Sequence, residues 1–166
     1  ILYNNSAVVD DWYLSLMGAS FVELSTSTLS ADFELRFDII PDDISGVQSY
    51  LGDNNNSAHF IGITGSSALF YRFDGTDVTT TFIMQVGQLQ AIIIKRVGST
   101  VTTTVNGIDE IDTNAGVFTF NSLGSRNGQN NKFLGSFLSF DFWNSGTSTT
   151  GTKVLDYNFQ SLSNVI

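Results

Sequence analysis

The sequence predicts an all-β fold, an antiparallel jelly-roll β-sandwich, and three observations carry that prediction. Its polar residues are mostly hydroxyl and turn types: 20 Ser, 17 Thr, 14 Asn and 15 Gly in 166 residues, beside 14 Phe. β-branched and aromatic residues suit a pleated, half-buried surface, and strong helix formers are few. Apolar residues alternate with polar ones in several segments, and no window has helical periodicity. Turn clusters separate those segments at fairly regular intervals, as in sandwiches and jelly rolls.

Taken in order, the first clear element is residues 31–40. Phe33, Leu35, Phe37 and Ile39 point one way, while Glu34, Arg36 and Asp38 point the other. Pro41 stops the ladder because it lacks the N–H a central strand donates. Turn clusters at 52–57, 64–67 and 74–77 bracket two further runs, 58–63 and 68–73. From Leu89 to Val97 both faces are apolar, as for a strand inside a sheet. Val101 to Val105 and Ile108 to Ile111 flank Asn106-Gly107, a pair that tolerates the positive φ of a tight hairpin. Strands are expected again at Val117 to Phe120, Phe133 to Trp143 (Leu138, Phe140 and Phe142 sharing a face) and Val154 to Phe159. The expected core is Phe33, Leu35, Phe37, Ile92, Ile94, Phe118, Phe120, Leu138, Phe140 and Phe142. With no linker, composition break or fixed-period repeat, residues 1–166 read as one domain. The chain begins at Ile1 without Met, which reads as a processed form or a piece of a longer protein.

Composition excludes several function classes. No cysteine is present, so disulfides and zinc-thiolate sites are ruled out. Seven Lys and Arg against sixteen Asp and Glu give a net charge of -9, and a surface of that sign repels phosphate backbones and anionic lipid. No apolar stretch reaches the ~18 residues a membrane-spanning helix needs. Neither nucleic acid nor membrane insertion is expected.

From about Phe33 onward the order of features resembles the concanavalin A-like, laminin-G-like jelly roll. The strand Phe33-Glu34-Leu35-Arg36-Phe37 opens the resembling part, and residues 58–63 and 68–73 are similar to that family's ligand-facing strands. Ile92-Ile93-Ile94-Lys95-Arg96-Val97-Gly98 is similar to its strand, basic pair and glycine. Val105-Asn106-Gly107 resembles its Val-Asn-Gly hairpin, and residues 133–144 resemble its Phe-x-Gly strand ending in Trp-Asn. Abundant Ser, Thr, Asn and Gly with a closing Leu155-Asp156-Tyr157-Asn158-Phe159 look most like modules of bacteriophage virion proteins: fibre, tail-spike or decoration domains. The resemblance implies a binding module on a virion or outside a cell; the fold hosts lectins, glycanases and adhesion modules alike.

Candidate sites follow from residue chemistry. Sugar recognition wants amides and hydroxyls on a shallow surface with an aromatic ring beside them. Two loops offer that: Asp53, Asn54, Asn55 and Asn56 next to Tyr50, and Arg126, Asn127 and Asn130 next to Phe133. Calcium, which takes hard oxygen ligands, is the inorganic partner to consider, with Asp42, Asp43, Asp53, Asp74 and Asp77 as candidate ligands. The nearest approach to a glycanase strand is Glu34-Leu35-Arg36-Phe37-Asp38, but its third carboxylate is absent, so it reads as a solvated charge ladder. Asp109, Glu110 and Asp112 read as solubilising charges beside the hairpin. His59, the single histidine, reads as a surface or hydrogen-bonded sheet residue, with no nucleophile elbow near it. Trp143 reads as sheet packing, and Trp12-Tyr13 as a partner contact.

The sequence therefore points to a non-enzymatic module on a virion or outside a cell that attaches to cell-surface polysaccharide. A structural capsid or fibre module working through other virion proteins or a homo-oligomer is the alternative. Glycoside hydrolysis is the minor one.

Overall fold

In the computed structural model the described residues are 2–4, 7–10, 13–17, 20–128 and 130–158. They form fifteen strands: β1 (Leu2–Asn4), β2 (Ala7–Asp10), β3 (Tyr13–Met17), β4 (Phe21–Leu29), β5 (Phe33–Pro41), β6 (Gln48–Asp53), β7 (Asn56–Ile63), β8 (Ala68–Phe73), β9 (Thr76–Ile83), β10 (Gln90–Val97), β11 (Thr100–Val105), β12 (Ile108–Thr113), β13 (Phe118–Leu123), β14 (Leu134–Asn144) and β15 (Thr152–Asn158). Among the described residues there is no helix. The first sheet runs β1-β4-β13-β6-β7-β8-β9 and the second β12-β11-β10-β5-β14-β3-β2, with β15 also paired to β14.

The two sheets stack over a core that is aromatic along much of its length. Phe120 of the first sheet meets Phe140 and Phe142 of the second at 6.0 and 5.1 Å between ring centroids, edge to face in both cases. Phe33 meets Phe73 in the same way at 5.7 Å. Edge-to-face rings add attraction beyond the area they bury. The alternation in β5 appears as expected, with Phe33, Leu35, Phe37 and Ile39 inside. Asn106 (φ 51°) and Gly107 (φ 83°) make the predicted hairpin between β11 and β12, both residues sitting in the left-handed region that a two-residue loop needs.

Two expectations are corrected. Leu138 is not a full core residue. The register of β14 against β5 shifts between Phe137 and Ser139, so Phe137 takes the inward position and Leu138 is left half-buried on the bulge. The charges beside the hairpin do more than solubilise. Glu110 accepts hydrogen bonds from the Thr81 N–H at 2.9 Å and from its hydroxyl at 2.5 Å, and Asp112 accepts from the Tyr71 hydroxyl at 3.4 Å. They tie the edge strand β12 to β8 and β9 across the gap between sheets. Burial and the neighbouring Glu110 raise the Asp112 pKa above the usual carboxylate range. Trp12 and Phe159 lie outside the described residues.

Candidate functional site

Loop 124–131 leaves β13 and crosses the outer face of the first sheet before entering β14. Its backbone is held against β6 and the turn that follows it. The Gly124 N–H donates to the Tyr50 carbonyl at 2.8 Å, the Asn127 N–H to Asp53 at 2.8 Å, the Gly128 N–H to Asn54 at 2.6 Å, and the Ser49 N–H to Asn131 at 2.7 Å. The two Asn-rich loops that the sequence singles out are thus one structural unit. Gly52 permits this: a Cβ there would lie 2.6 Å from the Arg126 Cβ and 2.8 Å from the Ser125 carbonyl oxygen.

Within that unit the candidate residues divide into supports and presenters. Asp53 is buried, its Oδ1 accepting from the Asn55 N–H at 2.8 Å and from the Asn121 amide at 3.3 Å. Asn54 donates its N–H to Asn121 Oδ1 at 2.8 Å and accepts from the Ser125 hydroxyl at 2.9 Å. Asn55, Asn56, Asn127 and Asn130 are exposed. Asn56 Oδ1 accepts from the Ala58 N–H at 2.9 Å, and the Asn130 amide donates to the Asn127 carbonyl at 2.7 Å. Tyr50 belongs to neither group. It is 0% exposed, wedged between Phe37 and Phe133 at 6.2 and 5.0 Å. Burial pushes its phenol pKa far up. It is a core residue and presents no ring to a sugar: the register of β6 against β7 shifts between Ser49 and Leu51, and Tyr50 and Leu51 both join the core.

The aromatic residues beneath the loop are Phe60 and Phe70 instead, with ring centroids 4.9 Å apart. Phe60, Arg72 and Asp77 stand opposite one another across β7, β8 and β9 on the outer face, their neighbours Ile61 and Tyr71 facing the core. The Arg126 guanidinium lies over Phe60, its carbon 3.6 Å from the ring centroid, and Arg72 approaches the same ring at 5.5 Å. Arg72 is also paired in a two-pronged contact with Asp77, one prong at 2.8 Å. Hydrogen bonding to Asp77 raises the Arg72 pKa, and the same contact lowers that of Asp77. Burial first, and repulsion from Arg72 second, lower the Arg126 pKa.

The outer face of the second sheet carries a separate groove, about 380 Å³, lined by Glu34, Arg36, Lys95, Thr102, Thr104 and Ser148 among others. Glu34 departs from the solvated ladder the sequence suggests: it is 2% exposed. Ser148 donates to it from its N–H at 3.0 Å and its hydroxyl at 3.1 Å, and Arg36 pairs with it from the side. Burial works to raise the Glu34 pKa, but these donors outweigh it and the net direction is down. Asp38, the other carboxylate of that strand, accepts from the Ser139 hydroxyl at 3.1 Å. Trp143 packs on this face under Arg36 and Lys153 at 5.0 and 5.2 Å.

The candidate calcium ligands are scattered. Among the described residues no three Asp, Glu, His or Cys side chains converge as a metal site would need. Asp43 caps the Ser45 N–H at 2.8 Å and its hydroxyl at 2.6 Å, which lowers its pKa. Asp42 lies in the same loop. Asp74 (φ 49°) forms the β8–β9 turn with Gly75, and Asp77 is held by Arg72. His59 is buried in the first sheet, its Nδ1 accepting the Asp74 N–H at 3.3 Å.

The sequence reading missed Phe60, Phe70 and Arg72 as parts of the loop surface, and Ser148 as the partner of Glu34. Residues 58–63 and 68–73 are expected as strands, and Phe60, and Phe70 with Arg72, share the outer face of theirs, but the role of that face depends on what crosses it. No family model matches the chain, and no curated protein matches it in sequence. Solved structures share its architecture. A putative carbohydrate-binding protein from Bacteroides ovatus superposes with a TM-score of 0.69 at 10% identity, over 85% of this chain and 49% of that one. The LG1-3 region of the laminin α2 chain gives 0.67 at 13% identity, over 93% and 29%. The enzymatically active domain of tailspike protein 2 from bacteriophage CBA120 gives 0.64 at 12% identity, over 96% and 32%. The chain spans about half or less of the length of these three proteins. At such identities the likeness is one of fold: the sandwich is the concanavalin A-like, laminin-G-like jelly roll.

Proposed function

We propose that this chain is a non-enzymatic binding module, displayed outside a cell or on a virion, that attaches to cell-surface carbohydrate through the joined loops 53–57 and 124–131. The observation that carries the reading is the main-chain clamp between the two loops. It holds exposed Asn55, Asn56, Asn127 and Asn130 on one rigid rim beside Arg126, and amides on a preformed surface match sugar hydroxyls at low ordering cost. The Bacteroides ovatus neighbour, described as a putative carbohydrate-binding protein, supports the same reading. Hydrolysis is disfavoured by Glu34. A general acid needs its pKa raised, whereas the donors around Glu34 lower it.

The test is retention of the protein on an array of microbial and algal polysaccharides, with calcium and with chelator. Asn55→Ala and Asn130→Ala should weaken retention, while Thr102→Ala on the opposite sheet should not. Chelator should change nothing, since Asp53 and Asp77 already accept protein donors and, among the described residues, no three acidic side chains converge. Failure to bind any polysaccharide, or a loss confined to Thr102→Ala, would overturn the reading. A second reading, a structural module docking on other virion proteins or on itself, is favoured by exposed Val47, Ile83, Val86 and Leu89 on the neighbouring segments 41–47 and 83–89. It predicts oligomers by analytical ultracentrifugation and a sugar array that stays blank.

A further inference from the structure

We infer that the ligand of this rim is an acidic polysaccharide, and that Arg126, flanked by Arg72, receives its anionic group. The inference rests on the carbohydrate reading above and names the class of sugar.

Two guanidiniums meet at one neutral oxygen. Arg72 Nη1 and Arg126 Nη1 donate to the same Ser57 carbonyl oxygen, at 3.3 and 3.4 Å. They come from positions 54 residues apart in sequence, one on β8 and one in the loop after β13. Among the described residues a single carboxylate, Asp77, bonds to this pair, and it is engaged by Arg72. The other acceptors at Arg126 are neutral: the Asn131 amide, with its oxygen turned inward, lies 2.9 Å from Nη2 and 3.1 Å from Nε. Two positive charges against one negative leave a surplus at this spot, in a chain whose net charge is -9. Elsewhere Arg36 pairs with Glu34 and Lys153 with Asp141.

That surplus is costly without an anion. Arg126 is partly withdrawn from water and repelled by Arg72, and both effects push its pKa down. An arriving carboxylate or sulfate offsets both penalties, and the planar guanidinium offers such groups a paired set of N–H donors. The rings below favour a charged contact over the ordinary sugar-on-aromatic one. Phe60 and Phe70 are 3% and 7% exposed, because the two arginines lie over them. A sugar landing here meets guanidinium first. Exposed Asn127 and Asn130 flank Arg126 in the same small hairpin, where Arg126 and Asn130 exchange main-chain hydrogen bonds at 2.8 and 3.2 Å. They offer amides to the hydroxyls of the same residue. A nucleic acid also carries anions, but its dense charge meets a chain whose net charge is -9.

Three polymers discriminate: alginate, which carries carboxylates; dextran sulfate, which carries sulfates; and dextran, which carries neither. Affinity electrophoresis of the whole chain should show retardation by alginate and none by dextran. Arg126→Gln should weaken it about tenfold or more, the scale of a lost charge-assisted hydrogen bond. Arg126→Lys should recover it only in part, since an ammonium keeps the charge and loses the fork. Equal or stronger retardation by dextran sulfate, again lost in Arg126→Gln, would support the site with sulfate as the source. Because substitution of Arg126 also uncovers Phe60, wild-type protein is titrated with galacturonate in parallel, and the Arg126 side-chain Nε–H resonance should move first. Retardation by dextran equal to that by alginate, with Arg126→Gln silent, would overturn this inference and leave the carbohydrate reading standing. Retardation by no polymer, with no shift at Arg126, would overturn both.

Discussion

Tyr50→Phe separates the two roles that sequence and structure assign to one residue. As a sugar platform, Tyr50 would lose little stability and some binding on losing its hydroxyl. In the structure the hydroxyl is sealed between the sheets and has no hydrogen-bond partner among the described residues. A buried polar group without a partner costs about 1–3 kcal/mol. Set against the void of one oxygen atom, its removal should stabilise the fold by about 1 kcal/mol, which for a chain of this size raises Tm by about 2–4 °C. Carbohydrate binding should not change. The pH dependence adds an independent sign. Burial holds the folded-state phenol protonated well above the usual tyrosine pKa of about 10, whereas the unfolded chain ionises there. The contribution is therefore complete below about pH 10 and drains away as pH rises, at about 1.4 kcal/mol per unit. Phenylalanine lacks that loss, so the gain from Tyr50→Phe should widen in alkali. Urea unfolding at neutral and alkaline pH, with polysaccharide retention measured on the same samples, tests every part. A loss of stability of 1 kcal/mol at neutral pH would mean that the hydroxyl holds a bound partner. A loss of retention would return Tyr50 to the binding surface.

Two other substitutions probe the supports of the two faces. Glu34→Gln removes the charge that Ser148 and Arg36 surround and should cost about 2 kcal/mol. Because the folded-state pKa of Glu34 is lowered, its contribution is complete above the ordinary glutamate range and fades as pH falls below it. The wild type and variant should therefore converge in acid unfolding curves, and curves that stay parallel would contradict the assigned partners. Gly52→Ala forces a methyl group into the Arg126 stem and the Ser125 carbonyl, at a cost of about 1–3 kcal/mol. The loop should lift from Phe60, and polysaccharide binding should fall with it. Unchanged binding would show that the seat of the loop on the sheet does not matter.

Much of the sandwich was legible because its central strands carry their pattern locally. β5 alternates over nine residues, β10 is apolar on both faces, and Asn106-Gly107 fixes the hairpin. The strands β1 to β4 and β9 left weaker traces. β4 reads Phe-Val-Glu-Leu-Ser-Thr-Ser-Thr-Leu, with Phe21, Val22 and Leu29 buried and a polar middle, so its alternation fades where it reaches the open side of the sandwich. Leu138 went astray because a bulge shifts the period by one residue, which no composition signal marks. The loops at 53–57 and 124–131 were both recognisable by their amides, yet their union was not. It follows from the pairing of β13 with β6, where Ser122 faces Gly52, and such a long-range register is invisible in one sequence. The Arg72–Arg126 pair was hidden for the same reason.

The clamp between the loops has a consequence for how recognition could diversify. Its contacts at Asp53, Asn54, Asn127 and Gly128 are made by main-chain atoms, which every residue type other than proline can supply. The frame therefore does not read the side chains that stand on it. At Asn127 (φ 46°) and Gly128 (φ 72°) the left-handed backbone narrows the choice, but Asn55 and Asn130 carry no such limit. The rim behaves as a keyboard on a fixed chassis: letters can be exchanged to suit a new surface polymer while the sandwich beneath keeps its shape.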